Sequence, residues 1–370
     1  MSFVAFTTTI PQEYIWAAGL IPLDLNNYFI TGDSNLYSMR AEELGMPRNT
    51  CSWIKGLLGV FTEQTLLEEI SLIIAVTEGD CSNNHGLMSL YKYYFPSIPV
   101  LGFSYPSDKN EAKLSIELNK LGSYLGVKTE DALKYKKILD KIRAKIAKLD
   151  EQQDLQASIP AEKIQKLLVS ATDFNGDYLN YEKQLDEMLG EINHLESQNY
   201  LKNKLADGEA ESGEDYLQLK EQAEAKSIIN RQTVKLGYCG VPCIIKDLFT
   251  YIEDNFSAKI SYFEVERDFC MLTNNETLEG QYLSFLYPYD VYARIDNINA
   301  EVLKRKLDAM IYYTQSFCHR QIDTVLMKNL IKVPLLVVEG DAPSNLDMRT
   351  KIRIESFMEN LIAKKGRGKN

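Results

Sequence analysis

Long apolar runs are missing from this 370-residue chain. No stretch approaches 18 uninterrupted apolar residues, so no membrane-spanning helix is expected. A basic stripe is missing too. Lysine and arginine total 41 against 52 aspartates and glutamates, a net charge of −11. Nucleic-acid binding needs clustered cations, which excludes nucleic acid as the expected partner. The short basic end AKKGRGKN reads as a frayed terminus. The start, MSFVAFTTTIPQEYIWAAGL, has no charged region ahead of its apolar part and does not read as a signal peptide. A cytoplasmic protein is the expectation, and in that compartment thiols stay reduced. Histidine is scarce at three, and the six cysteines are an ordinary number for this length. Their count therefore decides nothing, and their placement has to be read.

What is present is an ordinary globular composition, 45% hydrophobic and 25% charged, on a chain long enough for two domains. LIIAV and IPVLGFSYP read as buried strands, separated and followed by stretches of helical spacing. From residue 233 the same alternation returns: VKLGY, KISYFEV and VPLLVVEGD as strands, IIKDLFTYIEDN, RQIDTVLMKNLI and NLDMRTKIRIESFMENLI as helices. DAMIYYTQSFC reads either as a helix end or as a strand leading to Cys318. Alternation of this kind predicts parallel sheets with crossover helices, an α/β class of two Rossmann- or flavodoxin-like domains. Between them, KTEDALKYKKILDKIRAKIAKLDEQ and EKQLDEMLGEINHLESQ carry apolar residues every three or four positions, which predicts long amphipathic helices. ADGEAESGED (206–215) reads as an exposed acidic loop. The expected division is 1–128, an N-terminal α/β domain; 129–232, a helical segment; and 233–370, a C-terminal α/β domain.

In open parallel sheets, ligands gather at the carboxyl ends of strands. Cys81 follows LIIAV, Cys239 ends VKLGY, and Cys318 follows MIYYTQSF. Asn49 or Thr50 can cap a helix that would hold Cys51 in its first turn, and Cys243 opens IIKDLFTYI after Gly240 and Pro242. A free cysteine is more often a small buried hydrophobe than a ligand, yet all six stand at turns or element ends. The CGVPC spacing is not the C-x-x-C of a redox disulfide. His85 near Cys81 and His319 beside Cys318 leave a mixed zinc site open, while thiolates alone suit an iron–sulfur cluster better. Tyr238, Arg320, Glu339 and Asp341 flank these positions as candidates for proton delivery or substrate contact, with His319, Arg320 and Glu339 foremost.

IPQEYIWAAGLIP, NTCSWIKGLLG, TEGDC, VLGFSYP and the run FCHRQIDTVLMKNLIKVPLLVVEGDAPSNLDMRTKIRIESFMENL together carry a resemblance. The chain resembles the 2-hydroxyacyl-CoA dehydratase and benzoyl-CoA reductase superfamily. That resemblance implies an iron–sulfur cluster in the crevice between two domains, held by Cys51, Cys81 and Cys318. With Cys239, Cys243 and Cys270 over, the chain is similar to the double-cubane branch, whose members are homodimers. There the three extra thiolates would hold a second [4Fe–4S] cubane, bridged by sulfide to the first as [8Fe–9S]. The function implied is reduction of a small molecule, with electrons from a separate ATP-hydrolysing iron–sulfur reductase. Two alternatives stand beside it: a 2-hydroxyacyl-CoA dehydratase subunit with a single [4Fe–4S] cluster, and a non-enzymatic electron-transfer protein.

Overall fold

A computed structural model describes residues 2–152, 159–206 and 233–367. Past Ala206, the expected acidic loop lies outside the described residues. The first part of the chain builds β1 (Phe3–Phe6), β2 (Ile21–Asp24), β3 (Ile70–Glu78) and β4 (Val100–Ser104). The last part builds β5 (Val234–Gly240), β6 (Ala258–Phe263), β7 (Ala309–Gln315) and β8 (Leu335–Gly340). Each set forms a four-stranded sheet, ordered β2-β1-β3-β4 and β6-β5-β7-β8, and every neighbouring pair is parallel. The two sheets therefore repeat one strand order, and the fold is α/β with two flavodoxin-like halves. Inner strands need apolar side chains on both faces. AMIYYTQ in β7 is buried at every position, and β3 is buried from Leu72 to Val76.

Helices α1 (Gln12–Ala17), α2 (Leu25–Thr31), α3 (Ser34–Glu43), α4 (Ser52–Gly59), α5 (Gln64–Glu69), α6 (Asn83–Tyr94) and α7 (Glu111–Leu125) belong to the first half. Asn110 caps α7 by accepting from the Lys113 N–H, and Gly126 ends it at φ 68°. The middle contributes α8 (Thr129–Glu151), α9 (Ala161–Ser170) and α10 (Tyr178–Ala206). In α8, Ala132, Leu139, Ile142, Ile146 and Leu149 are buried along one stripe. One core cluster contains Ile73, Leu139, Leu168, Leu185 and Tyr238, so the middle helices share a core with both sheets. The second half adds α11 (Leu248–Asn255), α12 (Glu264–Phe269), α13 (Leu278–Ser284), α14 (Val291–Arg305), α15 (Thr324–Leu330) and α16 (Met348–Arg367).

One expected helix starts later than its pattern predicts. Residues 244–247 are not helical, and α11 begins at Leu248. Tertiary bonds win there. Ile245 forms a bridge with Ser344, Lys246 N–H donates to the Ser344 carbonyl at 2.9 Å, and Asp247 Oδ1 accepts from Leu346 N–H at 2.6 Å. Cys243 is thus not in a helical turn.

Candidate metal centre

A strand order of 2-1-3-4 makes the chain leave its first and third strands in opposite directions, which opens a crevice at their carboxyl ends. Here two such crevices face each other. The turns after β1 and β3 bring Thr7, Thr8, Asp80 and Cys81; those after β5 and β7 bring Val241, Pro242, Cys318 and His319. With Cys51, they line one cavity of about 720 Å³ including its mouth.

The three cysteines enter it in the same local way. Cys51 is itself the N-cap of α4, one position earlier in the helix start than its sequence context predicts. Cys318 is the N-cap of a short 3-10 turn, His319–Asp323. Cys81 directly precedes the Ser82 cap of α6. The backbone N–H two residues on from each, of Trp53 for Cys51, Asn83 for Cys81 and Arg320 for Cys318, works against burial and lowers that thiol's pKa. The Ile54 N–H acts on Cys51 in the same direction. Burial pushes all three thiols up, Cys51 to about 12 and Cys81 to about 11. Cys51 is raised further by Cys318 and Cys81, which places the three sulfurs in one another's field. Thiols that ionise reluctantly alone, with nearby backbone N–H groups that favour the thiolate, are suited to a cationic group that takes thiolates.

Three thiols around one cavity, in one another's field, fit an iron–sulfur cluster, whose usual ligands are thiolates. A single ion is a poorer fit. Among the described residues no three His, Cys, Asp or Glu side chains converge closely enough to hold one. A cubane is wider than an ion and takes its thiolates further apart.

Cys239, Cys243 and Cys270 are buried and placed differently. The Cys239 thiol donates to the Ile311 carbonyl at 3.6 Å, on the face of β5 turned toward Ile295 and Ile298 of α14. Cys243 donates to the Ile245 carbonyl at 3.5 Å. Cys270, at the end of α12, stands 3.3 Å from both the Leu168 and Glu266 carbonyls. Cys239 lies in one core cluster and the other two in another. Gly240, at φ +100°, is required where it is, because a Cβ there would overlap the Tyr313 carbonyl oxygen. It serves strand contact between β5 and β7.

Of the other candidates, His319 lines the cavity from an exposed position at its rim. The protein around its ring, then the Arg320 and Arg294 guanidiniums, push it down to about 4, so the imidazole is neutral near pH 7. Arg320 is pinned beside the cavity. Its guanidinium lies 4.3 Å over the Tyr287 ring, and Nη2 donates to the Tyr287 carbonyl at 2.6 Å. Glu339 is exposed and lies elsewhere, accepting from Ser316 and Gln321 in a shallow depression shared with Lys328 and Arg353. Tyr238 is fully buried and donates to the Val241 carbonyl at 2.6 Å. His85 is exposed on α6, outside the cavity lining. Asp341 contributes its backbone: the carbonyl accepts from Ser52 Oγ and Gln315 Nε2, each at 2.6 Å.

Several lining residues escaped sequence reasoning. Asp24, Asn26 and Asn27 form a polar wall with Thr7 and Thr8, and Asp80 accepts from Tyr287 at 3.1 Å and Asn84 at 3.0 Å. The available signal was three polar residues, Asp24, Asn26 and Asn27, at and just past the end of the four-residue strand IPLD, whose shortness hides it from pattern reading.

Fold and site together define a class: a two-sheet α/β protein with a cysteine-lined crevice between the sheets' switch points. A family model described as 2-hydroxyglutaryl-CoA dehydratase, D-component, matches residues 7–361. The chain belongs to that family, within the 2-hydroxyacyl-CoA dehydratase and benzoyl-CoA reductase superfamily. Proteins of the family are components of dehydratase- and reductase-class enzymes and generally carry iron–sulfur clusters. No curated protein matches the chain. Among the described residues no helix is long and apolar enough to cross a membrane.

Proposed function

We propose that this chain is a cytoplasmic iron–sulfur component of the 2-hydroxyacyl-CoA dehydratase type. It holds one [4Fe–4S] cubane on Cys51, Cys81 and Cys318, receives electrons from a separate ATP-hydrolysing iron–sulfur activator, and acts with a partner subunit. One observation carries this reading: three thiols from three separate loops line one cavity, where Cys81 and Cys318 raise the Cys51 thiol. Held by Cys51, Cys81 and Cys318, such a cluster would supply low-potential electrons, and these three thiolates would leave one of its four irons without a ligand from this set. The chain's own part is to fix the three sulfurs, to shield them, and to present a polar wall to whatever enters. Asp80 and Tyr287, hydrogen-bonded to each other at 3.1 Å, close the side beneath Cys81.

The second reading is a homodimeric reductase with a double cubane, Cys239, Cys243 and Cys270 holding the second half. One observation favours it. The Tyr313 phenol has Cys243, Cys51 and Cys318 among its electrostatic neighbours, so Cys243 stands one tyrosine from the first set. Against it, the Cys239, Cys243 and Cys270 thiols are directed to different carbonyls in two core clusters.

Iron and acid-labile sulfide on anaerobically purified protein separate the two. The first reading expects about four irons per chain, lost in Cys51→Ser, Cys81→Ser or Cys318→Ser and kept in the Cys243→Ala, Cys270→Ala double variant. About eight irons, halved in the double variant, would establish the second. Iron-free wild type would sink both.

A further inference from the structure

Two guanidiniums stand beside Cys318, and their charges are not equally neutralised. Arg294 and Arg320 line a narrow space with Cys318, Gly240 and Val241. Arg294 is buried and paired in full. Its Nε donates to Glu264 Oε1 at 2.7 Å and its Nη2 to Glu264 Oε2 at 3.0 Å. Arg320 has no such fork. Its Nη2 donates to a neutral group, the Tyr287 carbonyl, at 2.6 Å. Its buried Nε has no acceptor among the described residues. The carboxylate within ion-pair range is Asp323, 3.8 Å from Arg320 Nη1 and shared at 3.8 Å with Arg294 Nη1.

The place of that charge is fixed. The guanidinium lies 4.3 Å over the Tyr287 ring, and Tyr287 in turn donates to Asp80, next to Cys81, at 3.1 Å. The Arg320 carbonyl accepts from Tyr312 at 3.3 Å. The side chain is 12% exposed, and a charge so little solvated is screened much less than a surface one. Its field reaches both cysteine loops. Burial raises the Cys318 thiol and the Asp80 carboxyl, and the Arg320 guanidinium works against burial at each. Asp80 and Asp323 act on Cys318 in the opposite sense. His319, neutral near pH 7, adds no charge.

We infer that Arg320 sets the reduction potential of the centre, as a fixed positive charge beside Cys318 that favours electron uptake. The inference rests on the cluster reading proposed above. One electron, from the activator proposed there, adds one negative charge to the cluster and its thiolates, and no bond in the protein forms or breaks. A nearby cation stabilises the more negative state and so raises the potential. An arginine keeps its charge, and its planar fork holds that charge in one place.

Redox titration followed by electron paramagnetic resonance, on the full anaerobic protein, reads the ratio of reduced to oxidised centre at a set potential. Arg320→Gln keeps an N–H donor for the Tyr287 carbonyl and removes the charge. It is expected to lower that ratio about tenfold, about 59 mV for one electron, at wild-type iron content. Arg320→Lys keeps the charge and is expected to stay within about twofold of wild type. A glutamine variant that titrates with wild type would overturn the inference. So would a lysine variant as low as the glutamine one, since geometry and not charge would then matter. Should Arg320→Gln fail to hold iron, Asp323→Asn decides. Removing the carboxylate that Arg320 shares with Arg294 is expected to raise the ratio, and an unchanged or lower ratio overturns the inference. Iron-free wild type defeats the cluster reading; a loaded protein whose potential ignores the charge at position 320 defeats this inference alone.

Discussion

Glu266 shows what burial does to one side chain. It is fully buried in α12, with Oε1 accepting from Gln165 Nε2 at 2.8 Å and Oε2 without a partner. Burial, with Glu264 adding to it, pushes the carboxyl up to about 8. A carboxyl with a folded pKa above its unfolded value of about 4.3 binds its proton more tightly in the folded state. Its contribution is complete below about pH 4 and is lost as pH rises through about 8. Asp173 and Asp268, each pushed to about 7 by burial, act in the same direction. Wild type should therefore lose stability from pH 5 to pH 8.5. Glu266→Gln keeps the acceptor for Gln165 and puts a neutral donor where the proton sat. It should reduce that loss by on the order of 3 kcal/mol in denaturant titrations at the two pH values. Equal slopes in variant and wild type would show that Glu266 ionises freely in the folded protein.

At the scale of elements, the IPQEYIWAAGLIP stretch acquires a reason for its glutamate. Glu13 is fully buried in α1, where it joins two other helices. Its Oε1 accepts from Arg143 of α8 at 2.8 Å and from Gln281 of α13 at 3.1 Å, and its Oε2 from Tyr282 at 2.8 Å. Removing one partner of a buried ion pair leaves the other charge unpaired and costs about 3–5 kcal/mol. Arg143 would keep Asp140, 3.0 Å from its Nη1, so Glu13→Ala should lower stability by the lower end of that range, about 3 kcal/mol, and Glu13→Ala combined with Arg143→Met by less than the sum of the two single changes. Additive effects would mean that the pair is not coupled. Element type was legible here because periodicity is local: α7, α8, β3, β4, β5 and β8 fall on the stretches that predict them. Glu13 as a three-way junction was not, because its partners lie 130 or more residues away. The same limit applies to the start of α11, decided by Ser344 and Leu346, and to Asp24 and Asn27. Cys51, Cys81 and Cys318 could be singled out because a strand or helix end is visible in sequence. Which thiols share a cavity depends on how two sheets face, and no local pattern encodes that.

Across the whole molecule, the two halves repeat one strand order and meet at their switch points, so the cavity depends on how rigidly they are held together. One buried chain of bonds spans it. Tyr313 donates to Gln315 Oε1 at 2.7 Å, Gln315 Nε2 donates to the Asp341 carbonyl, and Ser52, next to Cys51, donates to the same carbonyl. The ends of β7 and β8 thereby hold the start of α4, and with it one of the three thiols. Gln315 is fully buried. Gln315→Leu would leave the Tyr313 hydroxyl without its acceptor and the Asp341 carbonyl with one donor, a cost of about 1–3 kcal/mol. If that chain sets the spacing of Cys51 against Cys318, the variant should lose iron to a chelator several-fold faster than wild type. Ser316→Ala is the control, since the Ser316 hydroxyl donates to the exposed Glu339 outside the cavity and its backbone bond to the Gly340 carbonyl is untouched by the change. A lower thermal midpoint with unchanged iron release in Gln315→Leu would make the network a prop for the fold. Faster release in Gln315→Leu and Ser52→Ala alike, with Ser316→Ala unaffected, would make it the means by which one half positions a ligand carried by the other.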